Sequence, residues 1–190
     1  MHASELTRYD SVAVTLHWTI ALCIIFMIPF GFFMGDLPDS LRPTGYVLHK
    51  SIGITVLALS AFRLIWRFMN TPPALAATMP AAQALAAKAA HWVFYFLIIA
   101  MPLSGWLMVS ASQKYPTVFF WLGEVPFIPM PAGIDAKATR DQLKEIHELL
   151  AFGTLGLLVI HIGAALRHHY RLRDHTLRRM LPLWLQRKTS

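Results

Sequence analysis

KEIHELLAFGTLGLLVIHIGAALRHHY, residues 144–170, decides the fold. From His147 to about Leu166 it is almost wholly apolar, and at ~1.5 Å per helical residue it is long enough to cross the ~30 Å of a bilayer core. Yet it carries histidines at 147 and 161, with two more at 168 and 169 where the apolar run ends. An imidazole inside hydrocarbon is expensive and is kept for a task, whereas one at the interface is cheap. Depth in the membrane is therefore what separates a working histidine from an idle one.

Working outward, the chain of 190 residues is 56% hydrophobic and 14% charged, with a mean hydropathy of +0.49, too greasy for an ordinary soluble domain. Three further apolar runs, about residues 12–34, 46–68 and 89–111, join the one at about 147–167, each close to the ~20 residues that span a bilayer. The expected fold class is all-α: an integral membrane four-helix bundle, one domain over residues 1–190. The first run is read as a true span, because it exceeds a signal core and the GFFMGDLPDS after it lacks a small-x-small cleavage site. A single cysteine, Cys23, allows no internal disulfide and no Cys-based haem attachment, so any haem would be held non-covalently.

Charge sets the orientation. Arg8, Arg63, Arg67, Lys88 and the tail cations Arg167, Arg171, Arg173, Arg178, Arg179, Arg187 and Lys188 fall on one side. The other side has only Arg42, Lys50, Lys114, Lys137, Arg140 and Lys144, accompanied by most of the acids. The positive-inside rule then predicts both termini in the cytoplasm. The net charge of +7 is accounted for by topology and by contact with anionic lipid, with no nucleic-acid role needed. Prolines break the connections; the longest, 112–144, is aromatic and proline-rich and suits a segment resting at the outer interface. Trp18, Trp66, Trp92, Trp106 and Trp121 read as interfacial or packing residues.

Of the nine histidines, four match in depth. His147 and His161 lie fourteen residues apart, almost four turns, and so project from nearly one face about 21 Å apart. His17 near the inner end of the first span is level with His161, and His49 near the outer end of the second is level with His147. Two pairs of imidazoles from different helices are what six-coordinate haem iron requires. A flat macrocycle also needs small side chains one turn from its ligands, and at i+4 these four have Ala21, Gly53, Ala151 and Ala165. His91 has Tyr95 there and is the one serious rival ligand. The competing readings are ordinary buried histidines and a metal transporter, the latter disfavoured because no carboxylate lies at mid-depth.

The motifs LHW (16–18), LHKSIGI (48–54), RLIWR (63–67) followed by TPP, MPLSGWLM (101–108), HELLAF (147–152), HIGAALRHHY (161–170) and RDHTLRRMLP (173–182) resemble the prokaryotic cytochrome b561 family over nearly the whole chain. The resemblance implies a bacterial inner-membrane bundle with two b haems, axially held by His17, His49, His147 and His161. It also implies ubiquinone as a substrate and, for one member, oxidation of superoxide at the outer face. With both axial positions filled, oxygen activation at the iron is disfavoured and electron transfer is the remaining role. Lys50 beside His49, with Arg140 and Lys144 before His147, could draw in a small anion or pair with haem propionates and loop acids. Arg63 and Arg67 suit propionates or a plain positive-inside role. His168, two turns beyond His161, and Thr15 are candidate quinone contacts; the matching family positions look like part of a quinone site. The alternative function is a haem-bearing anchor subunit that takes electrons from a redox partner protein.

Overall fold

A computed structural model describes residues 8–74 and 79–182. Part of the inner proline-rich loop, and the tail cations Arg187 and Lys188, lie outside the described residues. Four long helices dominate: α1 Ser11–Phe33, α2 Arg42–Met69, α3 Ala81–Ser112 and α4 Ala136–Arg167. Between α3 and α4 stands a small antiparallel hairpin of β1 Thr117–Phe119 and β2 Gly123–Val125, in the register Thr117 with Val125 and Phe119 with Gly123.

The apolar windows of the four helices have mean hydropathies of 2.1, 1.6, 1.9 and 2.2, but at most 22% of any window is buried within the protein. A water-soluble bundle hides its apolar residues; this one leaves Phe26, Phe62, Phe96, Phe152 and Ile160 facing outward. Only lipid makes that arrangement favourable, so the chain is a four-helix membrane bundle.

Helix limits follow capping as well as hydropathy. Asp10 accepts the Ala13 N–H at 2.9 Å and starts α1. Asp135 accepts the N–H groups of Lys137 and Ala138 and starts α4 eleven residues before His147. That early start corrects the reading of residues 112–144 as one irregular connection. AKATRDQLKE is polar, hence invisible to hydropathy, but rich in good helix formers. AAQALAAK, alanine-rich and a strong helix former, begins α3 at Ala81 rather than near residue 89.

The hairpin turn is strained. Phe120 and Trp121 sit at φ 44° and 62°, where hairpins of this kind usually place Asn-Gly, at a cost on the order of 1–2 kcal/mol per residue. It is held from α2: the Ser51 hydroxyl accepts the Phe120 N–H at 2.8 Å, and Lys50 Nζ donates to the carbonyls of Tyr115 (3.1 Å) and Pro116 (3.3 Å).

Packing around the bundle is uneven. α3 packs most closely on α4, and α2 touches both α1 and α3, whereas α4 stands off from α1 and from α2. The backbone gap this leaves between α4 on one side and α1 and α2 on the other is crossed by side chains, Phe32 on Phe152 at 5.2 Å among them.

Candidate functional site

Imidazoles bridge that gap at two levels. At the end of the bundle that carries Arg8 and the tail, His17 of α1 and His161 of α4 have ring centres 6.3 Å apart with an interplanar angle of 60°. At the opposite end His49 of α2 and His147 of α4 stand 6.4 Å apart at 71°. The two pairs lie fourteen residues apart on α4.

The His49–His147 pair is wedged by two glycines. A Cβ added to Gly31 of α1 would lie 3.0 Å from His49 Cε1, and one added to Gly105 of α3 would lie 3.2 Å from His147 Cε1. Both contacts are tighter than carbon atoms prefer, about 3.5–4.0 Å, so these glycines let the backbone support the rings directly. One turn from His49, a Cβ at Gly53 would meet nothing within 4 Å.

The tautomer of His147 is fixed. Ser104 donates its hydroxyl hydrogen to the Met101 carbonyl at 2.7 Å, so its oxygen accepts from His147 Nδ1–H at 2.9 Å, a proton shared with the Met101 carbonyl at 3.1 Å. With Nδ1 protonated, Nε2 keeps a free lone pair. His49 has a buried Nδ1 with no hydrogen-bond partner, which within a protein costs roughly 1–3 kcal/mol.

The other pair sits among more company. Phe94 meets His161 edge-on at 5.1 Å and Trp18 meets His17 at 5.4 Å. Arg63 donates from Nη2 to His17 Nδ1 at 3.1 Å and lies over the Tyr95 ring at 5.6 Å. His91 of α3 stands 6.4 Å from His161, as near as His17. Distance alone thus leaves His161 with two neighbours. They differ in setting: His91 is exposed, and its helix packs hard on α4, whereas His17 faces α4 across the gap.

The remaining sequence candidates are placed as follows. Lys50 is spent on the hairpin carbonyls. Arg140 pairs with Asp141 at 2.6 Å and Lys144 with Glu148 at 3.5 Å, so part of the positive patch near His147 is neutralised. Arg67 is partly exposed one turn beyond Arg63. Thr15 is exposed between the buried Val14 and Leu16 and makes no bond to His168 among the described residues. His168 bonds Asp174 instead, at 2.5 Å. Trp18 does more than pack: its Nε1–H donates to the Met180 carbonyl at 2.7 Å, while Arg8 donates to the Leu181 carbonyl at 2.7 Å, and together they strap the tail across the base of α1.

Ser104, Gly31, Gly105 and Asp174 had no role assigned from sequence. The available signal was faint: glycines in the outer halves of apolar spans, and Asp174 as the only acid after Glu148.

Comparison with known proteins gives consistent results. The family model described as Prokaryotic cytochrome b561 matches residues 8–183. Cytochrome b561 homolog 2 of Escherichia coli (strain K12) is 34% identical over 177 residues, covering 92% of this chain and 91% of that protein. The Probable superoxide oxidase CybB of Yersinia pestis is 32% identical over 177 residues, covering 92% and 96%. Cytochrome b561 homolog 1 of Escherichia coli (strain K12) is 31% identical over 181 residues, covering 93% and 98%. Four apolar membrane helices and this likeness over nearly its full length mean that the chain belongs to the prokaryotic cytochrome b561 family, b-type haem proteins of electron transfer in the bacterial inner membrane.

Proposed function

We propose that the chain holds two b haems, one between His17 and His161 near the cytoplasmic face and one between His49 and His147 near the periplasmic face. Through them it carries electrons inward from a small anionic donor such as superoxide to ubiquinone. The observation that carries this reading is the spacing of the rings. A metal–imidazole bond is about 2 Å long and the ligating nitrogen lies about 1.15 Å from its ring centre, so two rings on opposite sides of one iron have centres roughly 6.3 Å apart. The observed 6.3 and 6.4 Å fit that requirement. A flat group would lie where the backbone of α4 stands off from α1 and α2, which favours His17 over His91 as the partner of His161.

A haem held by two imidazoles would supply one-electron exchange without binding oxygen at the metal. The residues of the chain prepare the sites. Ser104 and the Met101 carbonyl hold His147 with Nε2 free, which also makes the ring a stronger donor. His17 must change partners: a ring that gives Nε2 to a metal carries its proton on Nδ1, which a guanidinium cannot accept. Arg63 is then released from His17 and becomes available to a carboxylate such as a propionate.

Superoxide as donor is supported by the likeness to the Probable superoxide oxidase CybB of Yersinia pestis and by the cations at the His49–His147 end. Lys137 and Lys114 add to Lys50 there, though Arg140 and Lys144 are already paired. The cytoplasmic placement of both termini follows from the distribution of Lys and Arg. His168, ~10 Å beyond His161 along α4, is the hydrogen-bond donor offered to a quinone carbonyl.

The test is to purify the chain alone, count haem per chain, and follow haem reduction by superoxide and reoxidation by a short-chain ubiquinone. Two b haems that cycle between these reagents support the reading. Haems reduced only when a partner protein is added would establish the anchor-subunit role, and fewer than two haems would overturn the assignment of sites.

A further inference from the structure

α4 does not end as a regular helix. Beyond Arg167 it opens into a π-helical turn, His168–Leu172, and Arg173 then adopts the left-handed conformation at φ 51°. Isolated π turns gather at functional positions, and a left-handed arginine costs on the order of 1–2 kcal/mol. The result of this strained ending is a chain reversal. The N–H groups of Arg173 and, at 3.2 Å, of Asp174 both donate to the His168 carbonyl, and the Asp174 carboxylate returns onto the His168 ring, Oδ2 to Nδ1 at 2.5 Å. The other oxygen, Oδ1, accepts the Thr176 N–H at 2.9 Å.

Burial alone would raise the Asp174 carboxyl, but the hydrogen bonds from His168 and Thr176 outweigh it and hold the group below its ordinary value. It is therefore an ionised acceptor, and His168 carries a proton on Nδ1, leaving Nε2 as the nitrogen for other partners. The His168 side chain is only 16% exposed, so this dyad is part of the packed end of the bundle. Close to it in the chain stand Arg167, His169, Arg171, Arg173 and His175, with Arg178 and Arg179 in the short helical turn that follows. Asp174 is the only acid after Glu148, and it bonds the one histidine that the quinone reading needs.

We propose that Asp174 is the positioning residue of a proton-delivery dyad: it holds His168 with Nδ1 protonated and supports its imidazolium, so that His168 passes protons through Nε2 to the oxygens of the quinone as it is reduced. This rests on the quinone reading above. Ubiquinone becomes ubiquinol by taking up two electrons and two protons, and the electrons come from two superoxide anions, each leaving as dioxygen. At His168 an Nε2–H bond breaks as a quinol O–H bond forms. The neutral ring takes a proton from cytoplasmic water, and the second transfer repeats the first. Asp174 stays ionised throughout, as the orienting carboxylate of a catalytic triad does.

The test uses the full-length protein and its D174N, D174E and H168L variants, each purified, reduced with dithionite without excess, and mixed anaerobically with a short-chain ubiquinone while haem reoxidation is followed. Asn still accepts the Nδ1 hydrogen bond but lacks the charge, so a merely structural tie survives in D174N. The expected result is an unchanged haem spectrum, a KM for quinone within about twofold of the parent and a kcat lower by about 10²-fold. The solvent deuterium isotope effect should grow, D174E should recover most of the rate, and H168L should be as slow as D174N. Parent and D174N reoxidised at equal rates would overturn the role of Asp174 alone. Loss of haem or a raised KM in D174N would mark a structural tie and overturn it as well. No reoxidation of the parent by quinone would overturn the quinone reading itself, and this inference with it.

Discussion

Gly31→Ala should empty one haem site and spare the other. The added methyl would lie 3.0 Å from His49 Cε1 and 3.6 Å from Nδ1. Carbon atoms prefer about 3.5–4.0 Å, so the ring or α1 must retreat by roughly 0.5–1 Å. His49 is poorly placed to adjust, since its Nδ1 is buried and unpartnered, and Phe30 lies against the same ring at 6.3 Å. Overpacking of this kind costs typically 1–3 kcal/mol, which is about a 5- to 150-fold loss of affinity for whatever the ring ligates. Gly105→Ala, at 3.2 Å from His147, should cost less, and Gly156→Ala, with nothing within 4 Å, should cost nothing measurable. The assay is haem per chain in protein purified after expression with limiting haem supply, combined with a redox titration. The predicted order of loss is Gly31 over Gly105 over Gly156, with only one redox component affected. Equal haem content in all three variants, or loss of both components together, would refute the placement of these glycines against ligand rings.

Other outcomes follow from the same geometry. Ser104→Ala removes an acceptor from His147 Nδ1–H, weakens the ring as a donor and should raise the potential of the haem at that end, seen as a shift of one component in the titration while the second stays put. Ser51→Ala leaves the strained Phe120–Trp121 turn without its clamp, a loss of about 1–3 kcal/mol that should make the hairpin the first site cut by protease added on the periplasmic side. The tail should also respond to acid. Because the folded protein holds the Asp174 carboxyl below its ordinary value of 3.8, its tie to His168 is fully present above that value and is lost only as pH falls beneath it. Protease sensitivity of the tail should accordingly stay flat from neutral to mildly acidic pH and rise only in strong acid; release on mild acidification would show that something other than this carboxylate holds the tail.

The spans and the four bridging histidines could be read from the chain because both are properties of one helix at a time: apolar length sets the span, and residue number along it sets depth. Matching depths then pairs His17 with His161 and His49 with His147, and the structure brings those rings together. What escaped is set by neighbours on other helices. Nothing local to Gly31 or Gly105 announces an imidazole from α2 or α4 lying against it. The bond between Ser104 and His147 depends on how closely α3 packs on α4. Polar first turns hid the start of α4, and the hairpin was missed because its turn carries Phe-Trp in place of the usual Asn-Gly. Asp174 reaches His168 only through a π turn and a left-handed arginine, neither of which a regular helical projection of HIGAALRHHY contains.

The central claim is that two irons are each clamped by imidazoles from different helices, and low-temperature electron paramagnetic resonance of the oxidised, purified chain tests it most directly. Two distinct low-spin ferric haem signals of equal intensity are predicted, with His49→Ala abolishing or converting to high spin only one of them and His17→Ala only the other. A single low-spin species, a high-spin signal in the unaltered protein, or a His17→Ala variant that keeps both low-spin signals because His91 serves His161 would contradict it.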